Sequence, residues 1–541
     1  MVPDPNKSLQ IEAAQESRTR VVRSALRMAF GTLTSRSLGL VREMAFAALF
    51  DRAITDAWMA AFRLPNMFRR LLGEGSLSVS FIPVFIQAQV KDGEVGGGSS
   101  QAKALVDSCF TLLLVILTTL TVLGVMYPEP ILRLLLDPEY VAQTEKFLLT
   151  VRMAQIMFGF VFLVSLYAFF MAILNALGIY GLPAMAPTLF NVAMITATLL
   201  PAAWFPWPGD GLAWGVIAGG FLQMVILIPA LAKRGYLPRI SFRWKSRALA
   251  QVLVNMGPGL IGLGLLQVTT LINMRFASSL GEGAISWIAW ADRLLELPLS
   301  LVSVSLGTAL LPTLAGHWAK GEKDRLSETL NFMLRLNLFV CFAAATGLAA
   351  LAHPIVEVLF QRGQFTAADT AATAGVVQIW AMIMIPTACL RILAPAYYAI
   401  KNTWFPPLVS GVCLVAHILV APPLMEAMGL TGLNLSSLLS SSLNFLLLFV
   451  FYRAFIGPLG YGKLLVQTLK YLVPMAALFG AVQIHGPLRD LMGGAFPSKV
   501  LALSVAVIAG ALAYAIASRT MGLEEWNATA ERVLKKLRRR V

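Results

Sequence analysis

Cysteine and histidine are both scarce in these 541 residues, four of each, and neither type gathers into a site. Cys109, Cys341, Cys389 and Cys413 sit singly in apolar segments with no CxxC spacing, which leaves no disulfide framework or thiolate metal centre to read. His317, His353, His417 and His485 are scattered, and no metal-ligand spacing joins them. No Ser–His–Asp arrangement, paired-carboxylate site or cofactor box emerges. The nearest approach to a phosphate loop, Gly457-x4-Gly462-Lys463, has Leu464 where that loop needs Ser or Thr, and no βαβ unit surrounds it. Neither an enzyme nor a resident metal or cofactor is expected. Charge is thin as well: Asp, Glu, Lys and Arg make up 13% of the chain, against 57% hydrophobic residues. A soluble protein of that composition would expose an unmanageable apolar surface.

What the chain does have is apolar runs, each long enough to cross a hydrocarbon core of roughly 30 Å. About fourteen spans are expected, near 22–49, 55–89, 104–127, 147–177, 181–204, 211–232, 248–278, 284–315, 329–350, 368–399, 404–425, 430–454, 463–485 and 498–518. Their breaks carry turn residues, among them Asp92-Gly93, Pro128 with Pro130, Pro206 to Asp210, Gly281 to Gly283 and Pro422-Pro423. The first twenty residues are polar and the first apolar segment is long, so it reads as a retained span and not a cleaved signal. Gly211, Gly215 and Gly219, at four-residue spacing, predict close helix packing.

The formal charge of +15 is explained by loops. With the N-terminus inside, the inner connections hold Lys91 and Lys103, the Lys233–Arg247 run, Lys320, Lys323 and Arg325, and Arg453 with Lys463. The basic end Arg532–Arg540 falls on the same side, so both termini are expected in the cytoplasm. That distribution removes the need for a nucleic-acid partner. The triplet Asn527-Ala528-Thr529 fits a glycosylation acceptor but lies on the expected inner side.

The chain repeats itself. At an offset of 229, Trp58, Ala60, Ser76, Leu77 and Pro83 meet Trp287, Ala289, Ser305, Leu306 and Pro312. At 223, Gln155-Ile156, Ala176 and Pro183 meet Gln378-Ile379, Ala399 and Pro406, and between these Pro130-Ile131 meets Pro354-Ile355 at 224. Each copy holds six spans, an even number, so both insert in one orientation about a pseudo-twofold axis along the membrane normal, with a binding site expected between them. The expected fold is an all-α polytopic membrane protein of about 14 transmembrane helices. Its parts are a tail (1–20), a six-helix bundle (21–236), a basic cytoplasmic linker (237–247), a second six-helix bundle (248–455), a helix pair (456–520) and a basic tail (521–541).

Arginines inside the apolar runs carry the functional signal. Each costs roughly 2.5–3.5 kcal/mol at a helix centre even on the lenient insertion scale, so such residues face water, a carboxylate or an anionic ligand. Arg36 and Arg42, six apart in Ser35–Glu43, lie about 120° around a helix, and Glu43 can neutralise one of them. In the second span Pro65 and the Gly73/Gly75 pair loosen a helix that carries Arg63, Asn66, Arg69, Arg70 and Glu74. Arg63 and Arg70 share a face, and Arg69, offset by one position, is better placed toward a cavity with Glu74. The matching segment of the second copy offers Asp292, Arg293 and Glu296, the last two at pairing distance on a helix. A structural salt-bridge network competes with an anion-binding cavity as the reason for all of these.

The runs SRSLGLVRE, TDAWMAAFRLPNMFRRLLGEGSLSVSFIPVF and ADRLLELPLSLVSVSLGTALLPTL resemble the MurJ (MviN) family of lipid II flippases, within the multidrug/oligosaccharidyl-lipid/polysaccharide exporter superfamily. The resemblance covers essentially the whole chain. It implies a V-shaped pair of bundles around a cationic cavity, a groove on helices 13 and 14 for the undecaprenyl tail, and Arg36, Arg42, Arg69 and Arg293 as substrate ligands. It also implies cavity or gating roles among Ser35, Glu43, Asp56, Asn66, Glu74, Asp292 and Glu296, with Glu43 standing where the family commonly has Asp. The implied partner is lipid II, an undecaprenyl-pyrophosphate-linked muropeptide, moved across the bacterial cytoplasmic membrane by a monomer among membrane lipids and other cell-wall synthesis proteins. Coupling would come from membrane potential, Na+ or H+, and no sodium ligands match securely. A drug or other polyprenyl-linked oligosaccharide exporter, and a non-transporting cell-wall scaffold, are the rival readings.

Overall fold

The computed structural model describes residues 31, 34–71, 77–95, 101–243, 246–300, 303 and 305–528, and among these every regular element is helical. The expected tail 1–20, Glu74, and residues 529–541 of the C-terminal tail lie outside that description. Two compact units divide the chain, Met1–Ser279 and Leu280–Val541.

The first unit holds α1 (34–49), α2 (Arg52–Phe68), α3 (Leu77–Val95), α4 (Gln101–Met126), α5 (Pro128–Leu135), α6 (Pro138–Ala142), α7 (Thr144–Met157), α8 (Gly159–Ala176), α9 (Gly181–Leu199), α10 (Asp210–Val225), α11 (Ile228–Lys233) and α12 (Arg247–Ser278). The second holds α13 (Ala284–Leu299), α14 (Ser305–Ala319), α15 (Lys323–Ala350), α16 (Ala352–Phe360), α17 (Ala367–Ala399), α18 (Phe405–Met428), α19 (Leu430–Phe455), α20 (Tyr461–Lys470), α21 (Leu472–Val482), α22 (His485–Leu491), α23 (Phe496–Thr520) and a last turn, α24 (524–528). Ten helical stretches among the described residues are long and apolar enough to cross a membrane. The other expected spans fall on α1, α2–α3, α12 and α13–α14. By its contacts α12 stands with the first unit, packed on α3, α4 and α5, although the sequence expectation opened the second bundle at residue 248.

Local chemistry sets the helix ends. The Asp51 carboxylate accepts from the Ile54 amide at 2.8 Å and starts α2. Thr366 and Asp369 form a reciprocal capping box at the start of α17. In both repeat copies the second span loosens into a π-helical turn at an equivalent place, at 69–71 and again at 300 and 303. Such turns free backbone groups and recur at functional sites.

Without a hydrophobic drive between helices in lipid, close packing and polar contacts hold each unit together. An aromatic chain Phe46–Trp58–Phe62–Phe160–Phe190 ties α1, α2, α8 and α9, its steps between 4.8 and 5.6 Å. The expected glycine packing is met: a Cβ on Gly215 would stand 2.4 Å from that of Ala197, bringing α9 onto α10. Gly432 is tighter still, since a Cβ there would lie 1.9 Å from the Leu424 carbonyl oxygen at the α18–α19 corner. The basic linker is docked and not loose. Its Arg239 and Ser241 amides donate to the side chains of Asp107 and Thr111 on α4, each at 2.8 Å.

The last helix pair belongs to the second unit. Tyr514 donates to the Phe339 carbonyl at 2.6 Å, and α21 and α23 pack on α15. Beyond α23 the chain turns back, burying Leu523 and Glu525. There Arg335 of α15, itself buried, meets Glu525 at 3.0 Å and Glu524 at 2.9 Å. At the opposite end Glu357 of α16 pairs with Arg489 at 3.1 Å and Lys499 at 2.8 Å. Burial alone would raise the Glu357 carboxyl, but the Lys499 hydrogen bond and the charges of Arg489 and Lys499 hold it below the ordinary range.

Candidate functional site

In the first unit, α1 delivers Ser35, Arg36, Arg42 and Glu43, and α9 supplies the residue that organises them. Asn191 accepts from Arg42 Nη1 at 3.0 Å through its amide oxygen and donates its amide nitrogen to the Ser35 carbonyl at 2.8 Å and hydroxyl at 3.3 Å. Arg42 Nη2 donates to buried Glu43 at 2.5 Å, and its guanidinium lies 5.8 Å from the centre of the Phe190 ring. Arg42 is thus pinned by a carboxylate, an amide and an aromatic face, and Glu43 does neutralise the nearer arginine. Arg36, one and a half turns earlier, is exposed and lines a cavity of about 370 Å³.

On α2, Asn66 accepts from Arg69 Nε at 2.8 Å, so a neutral amide orients that guanidinium at the start of the π-helical turn. Arg70 Nε is buried with no hydrogen-bond partner among the described residues. Asp56 is expected as a cavity or gating residue. It is wholly buried and receives the Lys146 ammonium at 2.9 Å, while that ammonium also lies 4.8 Å from the Tyr140 ring centre. Arg152 and buried Asp210 form a second pair, a two-pronged one with contacts of 2.8 to 3.0 Å.

In the second unit the expected pairing of Arg293 with Glu296 is present, but loose, at 3.6 Å between two half-exposed side chains. Sequence reasoning missed a neighbour. Arg391 lies on α17 between Pro386 and Pro395, exposed within the second unit, and the charges of Glu296 and Asp292 act on it. Its signal was in plain view: an arginine inside an apolar run, the same feature that marked Arg36. Arg335 of α15 carried the same mark, while Asn191 and Lys146 gave none, because their roles depend on partners ninety or more residues away.

Chemically, the two units differ. The first offers guanidinium groups held by an amide, an aromatic ring and one carboxylate. The second sets two arginines among two carboxylates. Planar guanidinium forks match phosphate and carboxylate oxygens bidentately. Among the described residues, no group of three or more His, Cys, Asp or Glu could hold a metal ion.

The lipid II flippase MurJ family model matches residues 46–489. A probable lipid II flippase MurJ of Bdellovibrio bacteriovorus is 47% identical over 518 residues, covering 96% of this chain and 98% of that one. The lipid II flippase MurJ of Burkholderia cenocepacia is 34% identical over 439 residues, covering 80% and 83%. Among solved structures, a lipid II flippase MurJ in an inward closed conformation superposes with a TM-score of 0.72 at 21% identity, covering 91% of this chain and 99% of that one. An inward-facing multidrug resistance MATE transporter of the MOP superfamily reaches 0.65 at 15% identity, covering 80% and 98%. The fold is therefore that of the MurJ and MATE transporters.

Proposed function

The chain belongs to the lipid II flippase MurJ family, and from that membership we propose that it carries lipid II from the inner to the outer leaflet of a bacterial cytoplasmic membrane. No covalent bond is made or broken. The protein is a multi-pass membrane protein, and its work is to move a headgroup bearing a pyrophosphate through a medium that rejects charge. The observation that carries the reading is the set of guanidinium groups kept on membrane-crossing helices of a chain with so few charges. Arg36, Arg42, Arg69 and Arg293 are the proposed pyrophosphate ligands. Charge-assisted, two-pronged contacts to phosphate are about twice as strong as neutral hydrogen bonds, which offsets part of the transfer cost.

Alternating access is the proposed cycle, with the polyprenyl tail remaining in hydrocarbon along α20–α23. The termini face the cytoplasm, in keeping with the basic inner loops, and the working unit is a monomer in contact with membrane lipids and other cell-wall synthesis proteins. Coupling to membrane potential, Na+ or H+ supplies direction, since no nucleotide motif is written in the sequence.

The test is depletion of the protein followed by an assay of lipid II accessibility at the outer leaflet. Lipid II should accumulate on the inner side; normal externalisation in a strain without a second flippase overturns the assignment. Arg69→Ala and Arg293→Ala should abolish complementation at normal membrane abundance. Loss of abundance instead points to structural ion pairs.

A further inference from the structure

The cavity beside Arg36 is mainly apolar in its lining, with a few polar groups set into it. Three helices of the first unit build it. From α8 come Tyr167, Met171 and Asn175, four residues apart and so on one face; from the start of α9 come Tyr180, Pro183, Ala184 and Pro187; α1 contributes Ser35 and Arg36. Pro187 cannot donate to the Pro183 carbonyl, and the Tyr167 hydroxyl takes that place at 3.0 Å. The Tyr167 ring is thereby fixed as a rigid wall. Polar groups gather at the end where α8 turns into α9. Asn175 makes no side-chain hydrogen bond to any described residue, so its amide offers both donors and an acceptor. Tyr180 beside it is exposed.

Aromatic walls, an open amide, a hydroxyl and one guanidinium form the recognition set for a pyranose ring carrying an anion. The C–H faces of a sugar pack on aromatic rings, its hydroxyl or acetamido groups take the amide, and the phosphate on its first carbon takes the arginine. A polyprenyl chain would leave the Asn175 amide without a partner. We propose that this cavity is a carbohydrate subsite that receives the sugar attached to the pyrophosphate, with Arg36 holding the adjoining phosphate. The proposal rests on the lipid II reading above and extends it by dividing the labour: α1 reads charge, and the α8–α9 corner reads the sugar. Because Asn191 bonds both Ser35 and Arg42, the subsite and the Arg42 cluster share one support.

The experiment compares two probes on full-length protein in lipid nanodiscs: lipid II, and undecaprenyl pyrophosphate, which lacks the sugar. In wild type lipid II should bind more tightly. Asn175→Ala and Tyr180→Ala should each weaken lipid II about tenfold and undecaprenyl pyrophosphate less than twofold, while Tyr180→Phe, which keeps the ring, should stay near wild type. Equal loss for both probes would mean the cavity holds phosphate or isoprenoid, and no loss for either would mean it holds nothing; both results overturn the subsite. If wild-type protein binds neither probe, the lipid II reading itself fails and takes the subsite with it. Folding is controlled by membrane abundance and by the Tyr180→Phe protein.

Discussion

Asp56 offers a direct contest between a structural and a transport role. Its carboxylate is wholly buried and its partner Lys146 is nearly so, at 2.9 Å. Removing one member of a buried ion pair leaves the other charge without compensation and costs about 3–5 kcal/mol. At 2–4 °C per kcal/mol for domains approaching this size, Asp56→Asn should lower the melting temperature by on the order of 10 °C. Lys146→Met should do the same. In the double variant Asp56→Asn/Lys146→Met no charge is stranded, so its loss should fall short of the summed single losses by a coupling of roughly 1–3 kcal/mol. Thermal melts followed by fluorescence-detected size exclusion give the stabilities, and immunoblots of membranes give the abundance. The reasoning is refuted if Asp56→Asn keeps wild-type stability and abundance yet abolishes complementation. That outcome makes Asp56 a gating or coupling group whose pairing with Lys146 is one stage of a cycle.

Three other consequences can be checked together. Asn191→Leu removes the amide that orients Arg42, a charge-assisted contact worth about 1.5–3 kcal/mol, so lipid II affinity should fall at least tenfold at normal abundance; unchanged affinity would dissociate Arg42 from Asn191. Arg391→Leu should abolish complementation and Arg391→Lys should preserve part of it, with growth and membrane abundance as readouts; full growth of the leucine variant removes Arg391 from the site. Glu357 titrates below the ordinary carboxylate value of 4.5, so its pairing stabilises the protein above that pH and the benefit disappears as pH falls through the lowered value. Glu357→Gln should therefore be less stable than wild type at pH 7, by about 1–3 kcal/mol, with the gap closing in acid; a gap independent of pH contradicts the assignment.

The helical, membrane-spanning class was legible because hydrocarbon imposes a length and a composition that no other class satisfies. The internal repeat was legible too, and the matching π-helical turns in its two second spans are its structural echo. The Arg293–Glu296 and Arg42–Glu43 pairs could be read because their members are near neighbours on one helix. Asp56 could not be placed, since its partner is ninety residues away and nothing local distinguishes a buried pair from a cavity-lining carboxylate. The helix pair at the end, expected as a part separate from both six-helix bundles, is tied into the second unit by Arg335 and Glu357, two charges set among apolar neighbours.

The return of the chain after α23 makes the carboxyl end an ingredient of the protein and no mere handle. A product truncated at Thr520 would retain every spanning helix, yet it would strip Arg335 of both counter-ions and leave the seat of Leu523 vacant. Reporter and affinity fusions must accordingly keep residues 521–528 in place, because the bundle needs the plug they form.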